Sequence, residues 1–481
     1  MAKPSVTFVS LGCPKNLVDS EKMLGLLAEE GFAIVGEGGR ADVLVINTCG
    51  FLSASREEAM EALNEAVERK RCGEVKRIVV VGCLVQRDGD KLIEAVPEID
   101  ALVGVNNRSD IVQAVLGKSQ KAKKSKSQKL KSGQAAAADE GRREESADGR
   151  LYYLGDYQTV RWVGANQSDR ARLRLTPRHY AYLRLSEGCD QKCTFCTIPS
   201  IRGPMHSKPV AEIVAEACEL TEDGAVELNL IGQDTTSYGK DIGYKPGLAG
   251  LLKKLDAISG VEWIRLMYAY PTDFTDEMIE AVSECDRVAK YIDIPLQHIN
   301  DGILKAMHRR VTRKETESLL ARLRLQIPGV SIRTTFIVGF PGETDEAFEE
   351  LLAFVRSFCF DALGVFPYSN ESETPASRIK EQIPQDVIDA RVDALMRAQQ
   401  EIAFAKAASR AGHRLRVLID DYDHDGVYPA RHQGQAPEVD SIVLVEGGTY
   451  EPGDFVNVRC VRSRDYDLVA KPLTSPLHVL R

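Results

Sequence analysis

Nine short runs rich in Val, Ile and Leu, separated by stretches of helical spacing, restrict this chain to folds built on parallel sheets. Residues 5–11 (SVTFVSL), 43–47 (VLVIN) and 78–81 (IVVV) read as buried parallel strands, with helices expected over 15–31 and 53–73, each closing near a glycine. That β–α–β–α–β order predicts an N-terminal open parallel α/β domain over residues 1–117. Six further runs lie at 180–186, 227–231, 263–270, 291–295, 331–338 and 362–368, with helices between them, for example over 210–222, 275–283 and 345–357. Six βα units predict a partial (βα)6 TIM-like barrel across 151–408, with chemistry at the C-terminal ends of its strands. From about His413 the texture becomes short β-runs at 414–419, 441–445, 455–461 and 467–470, which predicts a small all-β, OB-like domain over 409–481.

The pattern breaks once. Residues 118–132 hold seven lysines and no acid, and Ala, Asp, Glu, Gly and Ser dominate onward, so 118–150 reads as a flexible Lys-rich linker. A basic arm touching RNA is the functional alternative to a solvated spacer. Three domains also suit 481 residues at ~150 per domain. The chain carries 62 Lys and Arg against 71 Asp and Glu, a net of −9, which gives no global reason for obligate nucleic-acid binding. Setting the seven linker lysines aside leaves −16. No signal peptide and no uncharged 18-residue apolar stretch is visible, so a cytoplasmic location without membrane contact is expected. In that reducing setting, eleven cysteines suggest metal ligands before disulfides.

Six of the eleven form two sets of three. Cys189, Cys193 and Cys196 stand in a CxxxCxxC loop just past the first barrel run. Structural zinc closes with four ligands, whereas an iron–sulfur cluster on three thiolates leaves one iron open. A zinc loop completed by a distant His, and buried free thiols, are the alternatives. Cys13, Cys49 and Cys83 each follow an N-terminal run by one or two residues, at intervals of 36 and 34. Neighbouring parallel strands lie ~5 Å apart, so three thiols at one sheet edge can meet at one site; three unrelated buried cysteines would be the bland account. Cys72, Cys218, Cys285, Cys359 and Cys460 share no such placement and read as structural thiols. The eight histidines show no HExxH spacing, and His298 and His308 are assigned to packing or surface.

A CxxxCxxC loop after the first strand of a six-unit partial barrel resembles the radical S-adenosylmethionine (SAM) superfamily. The resemblance implies a 4Fe-4S cluster on Cys189, Cys193 and Cys196 whose open iron chelates the amino and carboxylate groups of SAM. An electron from the cluster then cleaves the sulfonium, giving methionine and a 5′-deoxyadenosyl radical that abstracts hydrogen. It places Phe195 on the adenine side and puts Gly232-Gln233-Asp234, where the superfamily often has Gly-Gly-Glu, near the SAM ammonium. Arg333 would meet the SAM carboxylate, or form a structural ion pair. Gly339, in Gly339-Phe-Pro-Gly-Glu343, would let the backbone approach the ligand, or simply turn the chain into a helix.

Two three-cysteine sites followed by a β-domain resembling TRAM make nearly the whole chain similar to the methylthiotransferases. That family implies a second 4Fe-4S cluster on Cys13, Cys49 and Cys83. Leu11-Gly-Cys-Pro-Lys-Asn16, Asp234-Thr-Thr-Ser-Tyr-Gly239 and Ala436-Pro-Glu-Val-Asp440 resemble the RimO-type, ribosomal-protein branch more than the MiaB-like tRNA branch. The implied reaction converts C–H to C–SCH3 at an aspartate β-carbon of small-subunit ribosomal protein twelve (uS12), free or on the ribosome. One SAM methylates sulfur at the auxiliary cluster, a second makes the radical, and flavodoxin or ferredoxin supplies electrons. No catalytic side chain beyond the cluster ligands is expected, because an unactivated C–H yields to cofactor chemistry and not to acid–base groups. Residues 409–481 carry nine Lys and Arg against eleven Asp and Glu, which suits a basic protein partner more than RNA, so nucleic-acid contact is not required. A tRNA adenosine methylthiotransferase and a non-catalytic iron–sulfur protein of the ribosome are the competing readings.

Overall fold

A strand buried on both faces must be apolar at every position, and the Val/Ile runs meet that demand. A computed structural model of the chain describes residues 3–117, 142–146, 149–155, 168–423 and 425–473. The chain divides into two units: Met1–Leu175 with Glu187–Gln191 and Thr197–His206, then Thr176–Ser186 with Lys192–Cys196 and Ser207–Arg481.

The first unit runs β1 (Ser5–Ser10), α1 (Pro14–Glu29), β2 (Ala33–Val35), β3 (Val43–Thr48), α2 (Ser53–Arg71), β4 (Arg77–Gly82), α3 (Cys83–Ala95), β5 (Ala101–Gly104), α4 (Ile111–Leu116), β6 (Arg142–Glu145) and β7 (Leu151–Leu154). The sheet order is β2-β1-β3-β4-β5-β7-β6. All pairs are parallel except β6 with β7. Val6, Val43, Val45, Val79 and Val81 pack on α1 and α4, while Leu44, Ile46, Ile78 and Val80 pack on α2 and α3. The expected linker needs correction at its end. Its Lys-rich part, residues 118–141, lies outside the described residues, but Arg142–Glu145 is a strand paired with Leu151–Leu154. The latter pairs in turn with β5, so 151 does not open the barrel. Leu151 and Tyr153 sit in the core, which accounts for the placement. The first unit also holds the short helix α5 (Ile198–Arg202).

The second unit begins with β8 (Tyr180–Arg184), α6 (Val210–Glu222), β9 (Glu227–Ile231), α7 (Gly247–Asp256), β10 (Trp263–Leu266), α8 (Asp276–Glu284), β11 (Val288–Asp293), α9 (Asp301–Ala306), α10 (Arg313–Gln326), β12 (Ser331–Val338), α11 (Asp345–Phe358) and β13 (Ala362–Pro367). These six strands form one all-parallel sheet in the order β13-β12-β11-β10-β9-β8. Ala181, Leu183, Leu228, Leu230, Ile264, Ile292 and Ile332 pack with the helices as the main core. Alternate positions on the same strands are polar: Tyr182, Glu227, Arg265, Asp293 and Arg333. A 25-residue helix, α12 (Gln385–Ser409), follows, with Ile388, Arg391, Leu395 and Ala398 buried at helical spacing.

The C-terminal strands β14 (Arg414–Ile419), β15 (Val427–His432), β16 (Val443–Glu446), β17 (Phe455–Arg464) and β18 (Asp467–Pro472) close into a barrel. It is pinned to the polar face of the six-stranded sheet. Glu227, fully buried, pairs with Arg265 at 2.8 Å and Arg431 at 2.7 Å. Arg431 also meets Asp420, which His179 contacts at 2.9 Å. Glu438 accepts hydrogen bonds from Tyr180 and Tyr182, and Asp440 accepts one from Tyr291. Part of the acidic count of this domain is therefore used inside the protein.

Candidate functional site

In the first unit, three neighbouring strands end at the same edge: Ser10 pairs with Asn47, and Thr48 with Gly82. Cys13 caps α1, Cys49 follows β3 directly, and Cys83 begins α3. Cys13 is close enough to Cys49, and both to Cys83, to act on those two buried thiols. Burial pushes Cys83 up to about 12, with Arg202 pulling against it and Cys13 and Cys49 adding to the rise. Burial also raises Cys49.

Glycines let the backbone pack tightly at this edge. A Cβ on Gly12, whose φ is +92°, would stand 2.7 Å from Cys49 Cβ and 3.4 Å from its sulfur. One on Gly50 would stand 2.7 Å from Leu84 Cα, and one on Gly82, at φ +101°, would strike Asn47 and sit 2.6 Å from the Thr48 carbonyl. Three soft thiols at one close-packed sheet edge suit an iron–sulfur cluster. Among the described residues no three His, Cys, Asp or Glu side chains are spaced for a single ion. A cube of four irons, whose ligands bind different irons, does not need that spacing.

Two residues at this edge escaped sequence reasoning as site residues. Asn16 donates to the carbonyls of Leu11 and Thr48 and accepts from Arg202 Nη2 at 2.7 Å. Arg202, 2% exposed, donates from Nε to Cys83 Sγ at 3.3 Å and from Nη1 to Glu187 at 2.9 Å. It also pairs with Asp19 at 3.1 Å. Asn16 could have been found from the Leu11–Asn16 motif, whereas nothing in the sequence around Arg202 marks it.

The CxxxCxxC loop is divided, Cys189 belonging to the first unit and Cys193 and Cys196 to the second. Within the first, the Cys189 amide donates to the Gly203 carbonyl, and Gly188 takes φ +76° where a Cβ would strike Pro204. Within the second, Arg309 Nη1 lies 3.7 Å from Cys193 Sγ, and its guanidinium stands 4.1 Å above the Tyr270 ring. All three sulfurs are partly exposed.

The other expected contacts fall as follows. Phe195 packs against an apolar group that includes Met307, Phe340 and Tyr368. Gly232 directly follows β9, and Gln233 comes next. Asp234 is buried and accepts from Thr236 Oγ1 and from the amide and hydroxyl of Ser237, so it builds its own turn. Arg333 pairs with Asp293 at 2.9 Å and Asp440 at 3.4 Å, as the ion-pair account expects. Gly339 takes φ +77°, and a Cβ there would drive into Ile388 of α12. Helix packing, not approach of a ligand, requires that glycine. His298 is buried 3.4 Å from Glu343, and His308 Nδ1 donates to the Lys192 carbonyl at 2.9 Å.

Family models match the chain in three places: an uncharacterized protein family, UPF0004, over residues 5–104, the radical SAM superfamily over 183–355 and a TRAM domain over 411–473. Curated relatives run the whole length. The ribosomal protein uS12 methylthiotransferase RimO of Trichlorobacter lovleyi is 39% identical across 98% of both chains. That of Bdellovibrio bacteriovorus is 40% identical across 97% of both. The chain belongs to the RimO family. As a radical SAM transferase of that family it implies SAM and a 4Fe-4S cluster. A solved radical SAM methyltransferase, TsrM from Kitasatospora setae, shares the fold at TM-score 0.54 and 14% identity, over 87% of this chain and 79% of that one. No helix among the described residues of this RimO family member is long and apolar enough to cross a membrane.

Proposed function

We propose that this chain inserts a methylthio group at an aspartate β-carbon of uS12, with one 4Fe-4S cluster on Cys189, Cys193 and Cys196 and a second on Cys13, Cys49 and Cys83. The observation that carries the reading is the placement of Cys13, Cys49 and Cys83 at the ends of three neighbouring strands, at one sheet edge. When bound, the clusters and SAM supply the radical and the sulfur chemistry that side chains cannot. The protein's residues ligate and orient. Cys193 holds iron beside Arg309, whose charge offsets the anionic thiolate, and the Tyr270 ring fixes that guanidinium from below. Gln233 and the Asp234 turn shape the end of β9, while burial of Cys49 and Cys83 keeps water from the second site. A reduced flavodoxin or ferredoxin fits the electron demand, in the cytoplasm with the ribosome.

For the substrate, exposed Asp421, Asp423, Asp425 and Glu451 favour a basic protein. Asp421 and Glu451 line a cavity of about 630 Å³ together with Tyr422, Glu438, Arg178 and Arg431. Arg459, Arg462 and Arg464 are exposed on β17 and favour the tRNA reading, although Arg462 is paired with Glu446 at 2.9 Å. Mass spectrometry of uS12 and of tRNA nucleosides from a deletion strain decides between them. Loss of the mark from uS12 alone is expected; its loss from tRNA with uS12 unchanged would overturn the choice. For the non-catalytic reading, the anaerobically reconstituted and reduced protein should leave SAM intact; we expect cleavage.

A further inference from the structure

Arg202 is a buried cation that the proposed chemistry leaves without a task. Its partners are unusual for a structural arginine. Asp19 and Glu187 balance its charge, Asn16 fixes one Nη, and Nε points at Cys83 Sγ at 3.3 Å. The side chain is 2% exposed, so solvent does not screen the contact. Two carboxylates would balance a guanidinium without any sulfur, yet the fork is held so that its Nε–H meets the thiol. Asn16 contributes to both sides, accepting from Arg202 at 2.7 Å and facing Cys83 Sγ at 3.4 Å. Arg202 also lies six residues past Cys196, so the stretch that carries the radical-site cysteines in sequence carries this guanidinium as well.

We propose that Arg202 is a positioning residue of the auxiliary cluster, donating an Nε–H hydrogen bond to the Cys83 ligand sulfur and thereby raising the cluster's reduction potential. This rests on the reading that Cys13, Cys49 and Cys83 hold a cluster. A cluster gains negative charge on reduction, and a hydrogen bond with an adjacent cation at a ligand sulfur stabilises that form more than the oxidised one. The guanidinium is the stronger donor for this purpose because its planar fork cannot lose its proton. Asp19 and Glu187 then serve as the frame that aims it.

The test uses the full-length chain with Cys189, Cys193 and Cys196 all replaced by Ala, reconstituted anaerobically with iron and sulfide. About four irons per chain are expected, all at the auxiliary site. An iron-free product would remove the cluster reading and the inference with it. With iron bound, pulsed electron paramagnetic resonance of the reduced protein, grown on 15N-arginine, should show a nitrogen coupling to the cluster; absence of coupling overturns the proposal alone. That measurement needs no change at Arg202 and so does not depend on a variant folding. Arg202→Lys keeps a cation between Asp19 and Glu187 but loses the aimed Nε–H. Its potential should fall below that of the parent, and a folded Arg202→Lys that no longer retains iron also supports the role. A folded, iron-loaded Arg202→Lys with an unchanged potential would overturn it.

Discussion

The two three-cysteine sites are built in opposite ways. Cys189, Cys193 and Cys196 share one eight-residue stretch and stay partly exposed. Cys13, Cys49 and Cys83 come from three strands, and Cys49 and Cys83 are buried in the sheet edge. A loop of ligands needs only a tight chain and an open coordination position, whereas ligands from separate strands need a whole sheet to be in register before they meet. The first kind should tolerate damage to the fold and depend on each thiol; the second should depend on the scaffold as much as on the thiols.

The largest effects separate the two chemically. Cys193→Ala should abolish reductive cleavage of SAM, a loss of at least ~100-fold, while about four irons remain bound; deoxyadenosine release and iron content measure it. Cys13→Ala should do the reverse, sparing SAM cleavage and stopping methylthio transfer to uS12. If either variant loses both activities, the sites are not independent.

The next effects address the scaffold. Glu227→Ala leaves Arg265 and Arg431 buried without their shared carboxylate, so denaturant unfolding should show a loss of about 3–5 kcal/mol. Both cluster sites should still load iron, because Glu227 touches neither. Gly82→Ala forces a side chain into Asn47 and the Thr48 carbonyl at φ +101°, for a loss of about 2–3 kcal/mol. Here iron should be lost from the auxiliary site only. Equal loss at both sites would erase the distinction between loop-built and sheet-built ligands.

The smallest effect concerns pH. Burial, followed by the charges of Arg410, Arg265 and Arg431, holds His432 down to about 3. The unfolded chain takes up that proton near pH 6.5 and the folded one does not, so stability falls as pH drops from about 6.5 toward 3, by at most ~1.4 kcal/mol per pH unit. His432→Gln should flatten urea midpoints between about pH 6.5 and 5.5, above the range where most carboxylates contribute. A variant with the parent's slope would show that His432 is not the group responsible.

The contrast also explains what could be read in advance. The six barrel strands and the β–α alternation were legible because parallel strands are apolar throughout and α6 keeps helical spacing with Ile213, Ala217 and Leu220 buried. The strand β15 was missed because Tyr428, Pro429 and Arg431 interrupt its apolar pattern, and Arg431 is buried against Glu227 and Asp420. The helix α12 kept its spacing at Ile388, Leu395 and Ala398 but hid it among charges. The loop-built site announced itself as a motif. The sheet-built one showed only as a spacing of cysteines, and Arg202 and Arg309 not at all, because what selects them is a contact distant in sequence. The contacts of Arg333 with Asp440 and of Gly339 with Ile388 were hidden for the same reason, lying 107 and 49 residues further on.

The pairing of β5 with β7, beyond residue 150, makes the Lys-rich stretch an insertion inside one sheet and not a tether between domains. Its two ends are fixed on that sheet, at Gly117 after α4 and at Arg142 in β6. Closing such a loop becomes only ~0.6 kcal/mol harder for each doubling of its length, so length there is nearly free to drift. A fragment cut at residue 117, by contrast, would present the bare hydrogen-bonding edge of β5, a template for pairing with another copy. The smallest piece of the first unit that can stay monomeric runs through Leu154, on the far side of the lysines.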